Sequence, residues 1–250
     1  MIDREGDVAE LVFRLDEGVH SLLSGARRIG KSTVCNAAAV RLREQRGAVV
    51  IWLEAPKQAT AVGFCQLLID QCTRIDLSHL AREYGKTLRP TIEALLRSLG
   101  VPLDLSALGE DVPPATRRDA LELPLKIARE QGAKVVFCID ELQRAVEYAD
   151  GEGVAGDLAD IYAGQTDVVL LVNGSQERVL DRLLAEPYTI GKLLDRRELA
   201  ATIPYDQWRQ PLTRRFEEAG LGIDRDRLKQ VWSSGASVPT TRRPEHAMLP

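Results

Sequence analysis

The chain has 250 residues and a mass of 27.6 kDa, the size of one large domain or of a core with a small appendage. Apolar residues at 44% and charged residues at 28% exclude a disordered or fibrous chain. With 33 Lys+Arg against 37 Asp+Glu and a net charge of −4, the surface offers no general attraction for nucleic acid. No apolar run approaches the roughly 20 residues of a membrane span. The opening Met1-Ile2-Asp3-Arg4-Glu5 is charged where a signal peptide would be apolar, so the chain reads as cytoplasmic, with no membrane partner.

In chain order, Val19–Ser24 is the first short apolar run and reads as a buried strand. Ser32–Gln45, rich in Ala, Leu and Arg, predicts a helix that stops at Gly47. Ala48–Leu53 is the second strand, and Ala61–Ile75 repeats apolar residues at helical spacing. Asp76–Pro114 breaks the rhythm, with helical character around Thr91–Leu99 and then a Pro/Gly-rich loop, and reads as an insertion. Ala115–Glu130 starts after Pro113-Pro114, ends before Gly132 and reads as one helix. Lys134–Ile139 and Asp167–Val172 are the third and fourth strands, with a short helix over Leu142–Tyr148 between them. From about Ala185 the strand pattern ends, and Tyr205–Gly220 and Arg225–Trp232 read as two further helices. Strands alternating with helices predict an α/β fold with a parallel sheet covered on both faces. The expected organisation is a core over 1–200 with the insertion at 76–114, a partial helical lid over 201–234, and a disordered tail over 235–250. Cys35, Cys65, Cys72 and Cys138 form no C-x-x-C and have no neighbouring histidine, so they read as buried small hydrophobes.

Gly25-Ala26-Arg27-Arg28-Ile29-Gly30-Lys31-Ser32 is a complete G-x-x-x-x-G-K-[ST], set between an apolar strand and an amphipathic helix. Chance would supply roughly 0.003 such matches at this composition. Glycines let successive backbone N–H groups curl toward phosphate oxygens, and the helix start adds its positive end. Lys31 would reach the β- and γ-phosphates, Ser32 would bind Mg²⁺, and Thr33 would contact the α-phosphate. Arg27 and Arg28 are either a solvated tip or a contact to phosphates or a neighbouring domain.

The third strand runs into Asp140-Glu141. An aspartate at a strand's carboxyl end suits a ligand that reaches the same Mg²⁺ through water, and the adjacent Glu141 suits a base that activates water. Asp140 could instead cap the Leu142–Tyr148 helix. No Asn-Lys-x-Asp follows either asparagine, Asn36 or Asn173, which argues against a GTPase. The Leu-Ser-Gly-Gly-Gln signature of transporter ATPases is absent, and the Asp-Glu pair argues against small-molecule kinases. ATP hydrolysis is what remains. Asn173, at the tip of the fourth strand, is the expected sensor of the γ-phosphate, with Ser175 behind it; an Asn-Gly turn is the simpler reading. The strand bearing the sensor is expected between the first and third strands. Gln143 is either a relay of nucleotide state or an ordinary exposed helix residue.

These motifs together, Arg4-Glu5 with Val8–Leu15, the Arg-Arg form of the phosphate loop, Ile139-Asp140-Glu141-Leu142-Gln143 and Asn173-Gly174-Ser175, resemble the archaeal-type ATPases. That family belongs to the AAA+/STAND assemblage and is similar to origin-recognition-type initiators. The resemblance covers about residues 1–235. It implies a three-layer P-loop NTPase fold of the Asp-Glu type, a helical lid, and adenine contact by a box for which Asp3-Arg4-Glu5 stands. It also implies a Gly-Gly-His-Pro-Tyr-like segment after Trp232-Ser233-Ser234-Gly235, where the chain gives Ala236-Ser237-Val238-Pro239 instead. The expectation is a frameshift near Gly235 that shortens a longer protein.

The reading is therefore a Mg²⁺-dependent ATP-binding switch or motor element with catalytic Lys31, Glu141 and Asn173. A non-hydrolysing nucleotide-dependent module and a DNA-associated initiator-like ATPase are the alternatives. The expected partners are ATP or ADP, with a protein partner or self-association beside them; charge does not support DNA. Arg182, Arg196 and Arg197 are candidates for an arginine supplied to a neighbour's site, or surface residues.

Overall fold

The computed structural model describes residues 4–56, 60–75, 104–105, 113–148, 151–174, 181, 190–200, 205–222, 224 and 226–230. Most of the expected insertion, Ser175, Arg182 and the 235–250 tail lie outside the described residues.

Five parallel strands form one sheet: β1 (Ser21–Ser24), β2 (Val49–Glu54), β3 (Val135–Asp140), β4 (Val168–Asn173) and β5 (Asp195–Glu198), in the order β2-β3-β4-β1-β5. As expected, β4 lies between the strand that feeds the phosphate loop and the strand that ends in Asp-Glu. The four expected strands are present, but the expected end of the strand pattern at Ala185 is corrected by β5. Its sequence, Asp-Arg-Arg-Glu, is wholly charged and every residue is exposed, so no apolar signal announces it. Among the described residues it pairs only with β1, and its outer edge carries the charge that edge strands use against unwanted pairing.

Among the described residues, the helices that flank the sheet or follow it include α1 (Glu5–Asp16), α2 (Lys31–Arg46), α3 (Ala61–Thr73), α4 (Pro114–Leu121), α5 (Leu123–Gln131), α6 (Gly151–Tyr162), α7 (Ile190–Leu193) and α8 (Tyr205–Glu218). Side chains along a strand alternate between faces, and the two buried clusters divide accordingly. Leu22, Ile51, Phe137 and Leu170 pack against α3 to α7. Leu23, Cys138, Val169 and Leu171 pack against α1 and α2. The result is a three-layer α/β/α arrangement, which buries all four cysteines.

The single helix expected over Ala115–Glu130 is two. Pro124 lacks an N–H and would crowd the preceding turn, so the chain steps at Glu122 and restarts with proline in the first turn of α5. The segment after β3 is a 3-10 helix over Leu142–Glu147, and Asp140 ends the strand instead of capping it. No described helix is long and apolar enough to cross a membrane.

Candidate active site

At the carboxyl end of β1 the chain turns sharply. Gly25 sits at φ +135°, and a Cβ there would lie 2.6 Å from Ile29 Cδ1 and 3.0 Å from the Leu199 carbonyl. Only glycine allows that approach. The loop tip, Ala26-Arg27-Arg28, is exposed, with Arg28 at φ +66°, while Ile29 folds back into the core. Gly30, at φ +97°, turns the chain into α2.

Lys31, buried at 6% exposure, points back along the loop. Its Nζ donates to the Gly25 carbonyl at 2.9 Å and to the Ala26 carbonyl at 2.8 Å. Burial lowers the pKa of this ammonium, and the nearby Glu141 and Asp140 carboxylates oppose the shift. On the first turn of α2, Ser32 Oγ donates to Asp140 Oδ2 at 3.0 Å. Thr33 beside it is exposed.

Parallel register brings the acidic end of β3 to the same place. Glu54, Asp140 and Asn173 stand level across β2, β3 and β4. Burial raises the pKa of the Asp140 carboxyl; the Ser32 hydrogen bond opposes this, and the Glu141 and Glu54 charges reinforce it. Asn173, 2% exposed, lies beside Asp140 and the Cys35 thiol; its amide opposes the rise in both pKa values, and burial pushes the thiol up to about 12. Glu141 adopts left-handed backbone, φ +58° and ψ +41°, and its N–H donates to the Asn173 carbonyl at 2.9 Å. Gln143 is not the exposed helix residue allowed by the sequence: it is fully buried, and its Nε2 donates to Glu141 Oε2.

The chain resembles known structures more than known sequences: no family model and no curated protein matches it. Among solved structures it is similar to a Walker-type ATPase of Pyrococcus abyssi, with a TM-score of 0.67 at 17% identity, covering 96% of this chain and 65% of that one. The fold is that of a P-loop ATPase. It is also similar to the Aeropyrum pernix ORC1 protein in complex with DNA, with a TM-score of 0.56 at 16% identity, over 87% of this chain and 50% of that one. Drosophila ORC bound to DNA aligns with a TM-score of 0.51 at 10% identity, over 92% of this chain and 49% of that one. The chain thus spans about half to two-thirds of the length of these proteins. The sequence resemblance to archaeal-type ATPases and origin-recognition-type initiators is matched at the level of fold.

Within this P-loop ATPase fold, three residues act in ways the sequence did not announce. Arg4, 6% exposed, donates from Nη2 to the Ala200 carbonyl at 2.8 Å and to Ile29 at 3.4 Å, tying the start of α1 to the phosphate loop and the end of β5. Glu54 adds a third carboxylate at the strand ends, and Arg144 Nη1 pairs with it at 3.2 Å and with the Ala55 carbonyl at 2.8 Å. The only early hint was the position of Glu54 at the end of an apolar run. Arg196 and Arg197, considered as donors to a neighbouring site, are engaged within the chain. Arg196 contacts Asp181 at 2.7 Å and Ser24 at 3.1 Å, and Arg197 pairs with Glu10.

Proposed function

We propose that this chain binds ATP at the Gly25–Ser32 loop and hydrolyses it, working as a nucleotide-dependent switch. The observation that carries the reading is the meeting of Ser32, on the first turn of α2, with Asp140, at the end of β3, 3.0 Å apart, with Lys31 and Glu141 beside them. A hydroxyl and a carboxylate oxygen so placed suit Mg²⁺, a hard cation that completes its shell with phosphate oxygens and water. Ser32 and Asp140 would hold it, and when bound it offsets charge on the phosphates.

The chain's own residues supply the rest. Lys31 exchanges its two loop carbonyls for phosphate oxygens, with the backbone N–H groups of Ala26, Arg27, Arg28, Ile29 and Gly30 around them. Glu141 takes a proton from water, and Asn173, held level with Asp140, orients the γ-phosphate side. Thr33 lies toward the α-phosphate. Residues 1–200 form the core of this reading, and the helices at 205–218 and 226–230 form a partial lid.

The test is Mg²⁺-ATP turnover by the purified chain beside Glu141→Gln and Lys31→Ala. The expected result is loss of turnover by about 100-fold or more in Glu141→Gln with ATP affinity retained, and loss of ATP binding in Lys31→Ala. Glu141→Gln turning over like the parent would remove glutamate from its role. ATP binding without turnover in the parent chain would favour the non-hydrolysing module.

A further inference from the structure

Gln143 is a polar residue where burial favours an apolar one. It is fully buried, its Nε2 donates to Glu141 Oε2, and its Oε1 is also buried, with no donor reaching it among the described residues. A buried amide satisfied at one end only is a net cost to the fold, and an apolar side chain of similar length would relieve it. The amide cannot be reversed without turning its oxygen onto the Glu141 carboxylate.

The surrounding turn is braced well enough to make that contact directional. The Glu141 N–H is held by the Asn173 carbonyl at 2.9 Å, and the Arg144 N–H donates to the Glu141 carbonyl at 2.9 Å. The Arg144 guanidinium reaches Ala55, and Tyr148 OH donates to the Pro56 carbonyl at 2.9 Å, both just past the end of β2. Leu142 and Ala145, on either side of Gln143, are fixed in the core. Glu141 itself sits in a left-handed conformation that few non-glycine residues adopt. A costly amide, a strained backbone and a rigid support therefore converge on a single carboxylate.

We infer that Gln143 is a positioning residue that aims the Glu141 carboxylate at the attacking water, retained for turnover at the expense of stability. The inference rests on the reading of Glu141 as the base. Holding a base within a few tenths of an ångström of its working geometry is what a third, orienting group contributes in such constellations. Gln143 acts only through Glu141 and touches neither phosphate nor metal in this assignment.

The experiment uses Gln143→Met, Glu141→Gln and the double variant in the full chain, with ATP turnover, ATP affinity and thermal melting measured on each. Gln143→Met is expected to lower kcat by about 10- to 100-fold while KM and ATP affinity stay within about twofold. Its Tm is expected to equal or exceed that of the parent. The double variant is expected to be no slower than Glu141→Gln alone, because two residues acting as one unit are not additive. Parental kcat in Gln143→Met overturns the inference, and so does a lowered Tm with kcat and KM falling together, which would assign Gln143 to the fold. Either result leaves the ATPase reading intact if Glu141→Gln is inactive. An active Glu141→Gln overturns both.

Discussion

Gly25 shows how much one residue decides at this site. A methyl group there meets Ile29 Cδ1 and the Leu199 carbonyl, on a backbone at φ +135° that L residues avoid. Ile29 is locked in the core and Leu199 is tied to Ser24 through its N–H at 2.9 Å, so neither neighbour can give way cheaply. Gly25→Ala is expected to cost about 2–3 kcal/mol in chemical denaturation and to weaken ATP binding at least tenfold. An unchanged midpoint and affinity would show that the loop does not depend on this approach. The phosphate loop was legible letter by letter because its chemistry lies in consecutive residues. Glu54, Arg4 and Arg144 were not, since each gains its part from strand register or from a partner far along the chain.

At the scale of elements, α4 and α6 are clamped by a nearly buried ion pair, Arg117 Nε to Asp157 Oδ2 at 2.7 Å. Gly153 of α6 lies under that guanidinium, and a Cβ there would stand 2.6 Å from Arg117 Nη2. Two effects compete in Gly153→Ala. Alanine favours the helix by about 1 kcal/mol, while displacing Arg117 leaves a buried charge poorly paired at about 3 kcal/mol. The expected outcome is a net loss of about 2 kcal/mol in a denaturant titration; a stabilised variant would mean that the guanidinium swings aside freely. The elements themselves were unevenly legible. β2, β3 and β4 are continuous apolar runs because both faces are covered, and such runs are plain in the sequence. β5 is charged and exposed, so its strand character comes from pairing with β1 and not from an apolar pattern. α6 carries Val154, Leu158, Ile161 and Tyr162 at helical spacing, a pattern that its alanines and glycines dilute.

For the molecule as a whole, pH acts through a histidine remote from the site. His20 lies between α6 and β4: its Nε2 donates to the Tyr162 carbonyl at 3.1 Å, and its Nδ1 accepts from the Leu170 N–H at 2.9 Å. Protonation would turn that acceptor into a second donor facing an N–H. Burial lowers the His20 pKa below its ordinary 6.5, partly opposed by the Tyr162 and Gln165 backbone contacts. The unfolded chain therefore takes up a proton before the folded one does. Stability is fully present above about pH 6.5 and declines as pH falls through that value toward the lower folded pKa, by at most about 1.4 kcal/mol per pH unit. The raised Asp140 carboxyl has the opposite slope at the acid end. A His20→Gln variant isolates the histidine: the difference between the two denaturation-versus-pH curves should widen toward neutral pH and close below it. A constant difference would exclude the linkage.

The position of β1 in the sheet has a consequence for synthesis. The strand that feeds the phosphate loop is made early, yet it pairs with β4 and β5, and Ser24 hydrogen-bonds Arg197, 173 residues further along. At ordinary translation rates of about 5–20 residues per second, the first half of the site waits on the ribosome for about 10–35 s before its flanking strands exist. During that interval a nascent chain presents the loop sequence without the sheet that shapes it. The shaped phosphate loop therefore arrives late and nearly all at once, when the stretch around residue 198 clears the exit tunnel, and so would the nucleotide binding proposed for it.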